Sequence, residues 1–405
     1  MKNVLIINPI LYTSETNEIP KVDSIKDTMI YTMCMGFLKL GHRVTLVAAE
    51  DYKPCVGEEY PFPVIWMHTV CRRVFLPRCF PYMPDLRKLL KEHEEYDLII
   101  ASEMFATWSY TAVRLCPEKT IVWHELAAHN RMLHQIPSKI WYNVIARFMM
   151  RKARVIARSK EAQTFISRFV GNVSQEVIDH GVELEKLPRI GSESEESVKS
   201  SHTEDFLKSN LCLNSQAEKE WKMIKKENQF AVVSQLIERK QIHRTIAAFA
   251  DFAMRGNEDY ILYLIGQGEE ESSLRKAAAD RKIESQVRFC GQMTHEQLLP
   301  IVAKSKALLV YTKKDNNMVS IVESIAVGTP VVTTSVPYNA EYIRREKLGI
   351  VKDLWGAEEL DRICEQNEVY VRNCLQYRQK LSNVHCAEMF LHCAQNFDGK
   401  AGSGD

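Results

Sequence analysis

A chain of 405 residues exceeds what one hydrophobic core usually supports, so two domains of ordinary size are expected. With 45% hydrophobic and 26% charged residues it reads as ordinary globular protein, which excludes the disordered, fibrous and membrane-embedded classes. Lys plus Arg, 53, nearly balances Asp plus Glu, 52, so bulk charge gives no support to nucleic acid as a partner.

The eleven cysteines are odd in number and form no Cys-x-x-Cys pair, which argues against a disulfide framework or a zinc ribbon and for reduced thiols. The opening run Val4-Leu-Ile-Ile7 is too short for a signal-peptide core, and no stretch approaches the roughly 20 apolar residues of a spanning helix. The expectation is a cytoplasmic protein, in solution or peripheral on the inner face of the membrane.

In chain order, short β-branched runs alternate with helical patterns, the signature of parallel sheets wrapped by helices. The first series of strands is Val4–Ile7, Val44–Val47, Leu98–Ala101, Thr120–Trp123 and Arg154–Ala157, with helices predicted over Ile25–Leu40 and Ile140–Lys152. A second series follows at Phe230–Val233, Ile261–Ile265, Val287–Phe289, Ala307–Val310 and Val331–Val332. Residues Ile190–Ser201, rich in Ser, Glu and Gly, read as a linker or insertion.

The most informative segment is Asp315-Asn-Asn-Met-Val-Ser-Ile-Val-Glu323, followed by Ala326-Val-Gly-Thr-Pro-Val331. Its pattern predicts a loop, a short helix from about Val319 to Val327, and Gly-Thr-Pro feeding a buried strand. The open N–H groups and positive end of such a helix suit a diphosphate, and the two carboxylates suit sugar hydroxyls. Taken alone, Asp315 reads first as an N-terminal cap and Glu323 as a solvated helix residue; the wider pattern reverses this.

The segment resembles the acid-x7-acid motif of glycosyltransferase family four, the retaining enzymes of GT-B fold. The resemblance extends to Ser234-Gln-Leu-Ile-Glu-Arg-Lys240, similar to a phosphate-binding loop, to Leu264-Ile-Gly266-Gln-Gly268-Glu, and to Val287-Arg-Phe-Cys-Gly291. In the first half, Ala153–Ser159 and Ile178–Glu183 resemble the family's final strand and exit segment. The resemblance implies an α/β chain with two Rossmann-like doubly wound domains facing across a cleft. It implies an acceptor-side domain over 1–189, a linker or insertion over 190–228 and a nucleotide-sugar domain over 229–375. A helix over 376–397 would cross back to the first domain, with a disordered tail over 398–405.

By the same resemblance, Glu323 binds the nucleotide ribose, and Asp315 with Asn316, Asn317, Met318, Val319 and Ser320 holds the donor sugar and diphosphate. Gly266 and Gly291 line the donor site, and Lys240 neutralises the leaving diphosphate. Asp stands at 315 where Glu is usual, and Gln235 stands where Arg is usual, which removes a charged donor. Arg239 is the nearest compensating charge, and in a tight turn both Arg239 and Lys240 would converge on the diphosphate. The first strand-helix turn, Asn8–Thr13, lacks the family's Gly-Gly.

His124, at the end of the strand Thr120–Trp123, lies where the resembling enzymes place a histidine beside the reacting sugar, and strand C-termini in such sheets open onto the ligand crevice; His129 is the fallback. Glu103, after Leu98–Ala101, is the acceptor-side candidate by the same reasoning. No metal is expected. His385, Cys386, His392 and Cys393 form the nearest metal-like set, but Cys and His at this spacing are read first as the packed face of an amphipathic helix. From Lys139 to Lys160 basic residues interleave with Ile140, Trp141, Val144, Ile145, Phe148 and Met149 without one acid. This is a packed helix with a solvated face, or an interfacial helix on anionic lipid.

The expected function is retaining, metal-independent transfer of a hexose from a UDP- or GDP-sugar, without a cofactor. The acceptor is a glycan or lipid-linked molecule, as in cell-surface polysaccharide synthesis. The alternatives are a catalytically weak sugar-nucleotide-binding subunit and a GT-B-fold epimerase.

Overall fold

The computed structural model describes residues 1–12, 19, 24–76, 78–92, 95–130, 132–179, 181–187, 225–315 and 317–401. The linker expected over Ile190–Ser201 lies outside them, as does Asn316. The chain divides into two compact units, 1–183 with 382–405, and 184–381.

The first unit carries a seven-stranded parallel sheet in the order β3-β2-β1-β4-β5-β6-β7. Its strands are β1 Asn3–Ile7, β2 Arg43–Ala49, β3 Val64–Met67, β4 Leu98–Ser102, β5 Thr120–His124, β6 Arg154–Ala157 and β7 Val173–Val177. The central strands are apolar on both faces and buried, as a sheet covered by helices on both sides requires. The predicted helix over Ile25–Leu40 spans Met29–Lys39, because the Thr28 side chain accepts the Tyr31 N–H at 3.2 Å and caps the first turn.

Strands β3 and β7 are absent from the sequence reading. Both are sheet edges: β7, Val-Ser-Gln-Glu-Val, mixes polar and apolar side chains and is half-exposed, whereas β3, Val-Ile-Trp-Met, is an apolar run of only four residues. The helix expected over Ile140–Lys152 is one α-helical turn, Ile136–Ile140, continued by a π-helix over Trp141–Met149. Three consecutive residues before it, Leu133, His134 and Gln135, have positive φ of 44°, 53° and 68°.

The C-terminal helix, expected from 376 to 397, runs over Asn383–Ala401; the preceding helix ends at Tyr377 and a single turn, Arg378–Leu381, separates the two. The tail expected from 398 is therefore helical to Ala401, and 402–405 lie outside the described residues. This helix packs on Met29–Lys39. A Cβ on Gly36 would meet the Asn383 carbonyl oxygen at 2.2 Å, and one on Gly181 would meet Asn383 Cα at 2.5 Å. Phe390 adds ring contacts to Phe37 and Trp123, and Asn383 Nδ2 donates to the Thr32 carbonyl at 2.9 Å.

The second unit carries six parallel strands in the order β10-β9-β8-β11-β12-β13. They are β8 Gln229–Val233, β9 Ile261–Ile265, β10 Val287–Gly291, β11 Ala307–Val310, β12 Val331–Thr333 and β13 Gly349–Val351. The edge strand β13, Gly-Ile-Val, is absent from the sequence reading; it opens on Gly349 and offers only two apolar side chains. Among the described residues no helix is long and apolar enough to cross a membrane.

Candidate functional site

In the second unit the turn after β8 is a single 3-10 turn, Glu238–Lys240. In a strand, neighbouring side chains point to opposite faces, but this tight turn brings Arg239 and Lys240 onto one carboxylate. Arg239 Nη1 lies 2.6 Å from Asp315 Oδ1 and Lys240 Nζ 2.9 Å from Oδ2. Thr312, at the end of β11, donates its hydroxyl to the same Oδ2 at 2.6 Å. The backbone closes the cluster, with Lys313 N–H donating to the Arg239 carbonyl at 2.9 Å and Arg239 Nη1 to the Lys314 carbonyl at 2.7 Å. Lys240 is buried, so its pairing with Asp315 is screened far less than a surface pair.

The short helix expected from Val319 runs over Val319–Ala326. Val319 and Ser320 occupy its first two positions, whose N–H groups have no carbonyl partner within the helix. Met318 departs from its expected role: it is buried, and its N–H donates to Asn339 Oδ1 at 2.7 Å, so it is not free to meet a diphosphate. Asn317 is half-buried beside it. One turn into the helix, Glu323 Oε1 stands 2.9 Å from His295 Nε2. Neither His295 nor Asn339 is marked by the sequence motifs, because each arrives from a different strand-helix loop.

Gly266 and Gly268 are fixed by packing between the turns after β8 and β9. A Cβ on Gly266, at φ 136°, would lie 1.9 Å from the Ser234 carbonyl oxygen, and one on Gly268 would lie 2.2 Å from that of Leu236. The Gly266 N–H donates to the Gly291 carbonyl at 2.8 Å, and Gly291 itself has φ 67°. These glycines thus hold the phosphate-loop candidate, Ser234–Lys240, in register with the sheet.

In the first unit the loops after β1, β4, β5 and β6 enclose a cavity of about 300 Å³. Its walls include Asn8, Glu103, Trp108, Glu125, Asn130 and Arg158. Glu103, a non-glycine residue at φ 65°, aims its carboxylate into a fan of donors. Oε1 accepts the N–H of Met104 at 2.8 Å and Phe105 at 3.3 Å, and Oε2 those of Glu125 and Leu126, each at 3.2 Å. His124 Nδ1 completes the set at 2.7 Å from Oε1. Burial alone would raise the Glu103 carboxyl, but His124 and the N–H groups more than reverse this and hold it at about 2. Its left-handed backbone, worth about 1–3 kcal/mol of strain, is thereby offset.

His124 takes a different place from the one expected. Its ring is fully buried between Tyr142 and Phe165 and does not line the cavity. With Glu103 ionised, Nδ1 donates to the carboxylate, and Nε2 is buried without a hydrogen-bond partner. Glu103 is the member of the pair that faces the cavity, and His124 stands behind it. The Tyr142 hydroxyl reaches the same Oε1 at 3.5 Å, and burial, then the charge of Glu103, push that phenol well above its ordinary value.

His129, the fallback, is a packing residue: its ring sits against Tyr142, Phe165 and Phe169, and burial pushes its ring nitrogen down. Cys386 and Cys393 are buried in the helix Asn383–Ala401, where Cys386 Sγ meets the Asp179 carbonyl and Cys393 Sγ the Ser174 hydroxyl. His385 pairs instead with Glu388 at 3.6 Å and His392 with Asn396 at 3.0 Å. Among the described residues no three His, Cys, Asp or Glu side chains stand together as metal ligands.

Residues 27–186 match the family model described as Glycosyltransferase Family 4, and residues 214–365 that of glycosyl transferases group 1. The chain is 31% identical over 134 residues to LpsE, a lipopolysaccharide core biosynthesis glycosyltransferase of Rhizobium meliloti; the match covers 33% of this chain and 37% of that protein. It is 23% identical over 352 residues to the alpha-monoglucosyldiacylglycerol synthase of Streptococcus pneumoniae, covering 84% and 75%. Among solved structures, Anabaena HepE in complex with UDP and glucose superposes with TM-score 0.61 at 15% identity, covering 98% of this chain and all of that one. WaaG, a glycosyltransferase involved in lipopolysaccharide biosynthesis, gives 0.54 at 14%, covering 99% and 100%. At such identities these structures show the fold, two parallel-sheet Rossmann-like domains of GT-B type. With the two family models spanning most of its length, the chain belongs to glycosyltransferase family four.

Proposed function

We propose that this glycosyltransferase moves a hexose from a nucleotide-sugar donor to a glycan or lipid-linked acceptor, with retention of anomeric configuration and without a metal ion. The observation that carries the reading is the convergence of Arg239 and Lys240 on Asp315, in the same unit as the open N-terminus of the helix Val319–Ala326. A departing nucleoside diphosphate is met there by two cations and by the N–H groups of Val319 and Ser320, which stabilise charge as the glycosidic bond breaks. The guanidinium of Arg239 supplies the charge that Gln235 lacks. Glu323 binds the ribose hydroxyls in exchange for His295.

On the acceptor side, Glu103 is a fixed anion on the cavity wall that accepts a hydrogen bond from an acceptor hydroxyl, and His124 is a positioning residue behind it. Relatives named for lipopolysaccharide core and glycolipid synthesis, and a structural neighbour solved with UDP and glucose, support a UDP-sugar donor and a cell-envelope glycan or glycolipid acceptor. The test is a panel of UDP- and GDP-sugars scored by thermal stabilisation and by release of free nucleotide, with the product anomer read by NMR. A product of inverted configuration, or stabilisation by no nucleotide-sugar, would sink the reading.

A further inference from the structure

We infer that the helix 136–149 of the first unit is a docking face for an anionic phospholipid bilayer. Four large apolar side chains stand in the open at four-residue steps along the helix, Ile136 at 58% exposure, Ile140 at 57%, Val144 at 49% and Phe148 at 68%, and Leu133 at 70% precedes them in the chain. They are not a core face that failed to pack, because the opposite side of the same helix is fully used. Tyr142, Ala146 and Met150 are buried there, and Trp141 stacks edge-on against Phe80 and Phe105 and donates Nε1 to the Met104 carbonyl at 2.9 Å.

The mixed helix type keeps the ridge straight. In an α-helix a step of four residues overshoots one turn; in a π-helix, which turns less per residue, it falls just short. The change of form at Trp141 therefore cancels the drift that would carry Val144 and Phe148 round the axis away from Ile136 and Ile140. A hydrophobic ridge of this kind inserts its side chains at the headgroup boundary while the helix lies in the plane of the surface.

Charge selects the occupant. Lys139, Arg147, Arg151 and Lys152 are exposed along and just beyond this ridge, and no acidic residue occurs between 139 and 160. Phe80 links the helix to a second exposed segment, through Phe75 at 6.1 Å, beside which Arg73 and Val74 stand open while Arg72 pairs with Asp51. A neutral apolar partner gains nothing from these cations, whereas an anionic bilayer gains from both features. Tyr142, on the inner side of this helix, reaches Glu103 on the cavity wall, so the face and the cavity belong to one rigid piece. This inference adds to the reading of a lipid-linked acceptor but stands on the surface alone.

The experiment is co-sedimentation of the full chain with vesicles of phosphatidylcholine, with and without one-third phosphatidylglycerol, at low and raised salt. Wild type is expected to bind only the anionic vesicles and to leave them as salt rises. Ile140→Gln/Val144→Gln/Phe148→Gln is expected to abolish binding, and Arg151→Gln/Lys152→Gln to weaken it about thirtyfold, as two basic residues leave the surface. Binding unchanged by the triple variant, equal binding to neutral vesicles, or no binding at low salt would each overturn the inference. So would a wild-type dimer that the triple variant converts to monomer, since the ridge would then face a second copy. Nucleotide-sugar stabilisation is measured on the same samples: its retention alongside lost vesicle binding separates failure of this inference from failure of the donor reading.

Discussion

Arg239 and Asp315 meet at 2.6 Å although 75 residues separate them in sequence, and Lys240, the next residue after Arg239, holds the other oxygen of the same carboxylate at 2.9 Å. Asp315 therefore occupies the two cations that a diphosphate would need. Asp315→Asn is expected to tighten binding of UDP or GDP about tenfold, about one charged hydrogen bond's worth, while lowering transfer. Titration of the nucleotide against wild type and variant decides this; weaker binding by the variant would mean that Asp315 organises the cations and does not shield them.

If both cations neutralise the leaving group, Arg239→Ala should lower turnover about as much as Lys240→Ala. Gln235→Arg should partly restore the Arg239→Ala enzyme, since Gln235 is exposed on the same turn. Full turnover by Arg239→Ala at saturating donor would leave Lys240 as the sole phosphate cation.

Glu323→Ala should leave the melting temperature nearly unchanged and weaken donor binding by about 1.5–3 kcal/mol, the loss of a charged acceptor for ribose hydroxyls. His295→Ala should instead leave donor binding intact or improve it, because it frees Glu323 from its 2.9 Å partner. Calorimetric titration of both variants with the same nucleotide tests the pair.

The carboxyl of Glu103 ties stability to acid pH. Its folded-state value, about 2, lies below the ordinary 4.5, so its contribution is present above pH 4.5 and is lost as pH falls toward 2. The span corresponds to about 3 kcal/mol. Denaturant unfolding of wild type and Glu103→Gln should differ most at neutral pH, with the gap closing between pH 4.5 and 2. A gap that does not change with pH would count against a Glu103 carboxylate held ionised by its donors.

Chelation gives a separate check. With Arg239, Lys240 and the helix Val319–Ala326 meeting the leaving-group charge, transfer should survive excess EDTA. Activity lost on chelation and restored by magnesium or manganese would overturn the metal-free proposal.

Much of the second unit was legible because its signals are local. Asp315 and Glu323 fall at either side of a short helix whose start and stop residues are explicit, and the alternation of apolar runs gave five of the six strands of the second sheet. The convergence of Arg239 with Lys240 was readable only as an alternative, since it depends on the turn being 3-10 and not extended. His295 and Asn339 were not legible, because what places them is the folding of separate loops onto one helix. In the first unit the sequence marked both His124 and Glu103 as crevice residues, and only Glu103 lines the cavity. Burial behind a carboxylate is decided by Tyr142 and Phe165, which come from elements far along the chain.

The seating of the last helix bears on how the chain is made. Residues 1–183 have their sheet early in synthesis, but the surface around Gly36 and Gly181 is covered only by Asn383 and the residues after it. On a ribosome that surface, with Phe37 and Trp123 beneath it, waits until the entire second unit has been translated. The first unit is thus the first begun and the last finished, and the nascent chain carries an open apolar seam throughout. A stop codon just before Ser382 would spare every residue of the second unit and still leave the first unit unsealed.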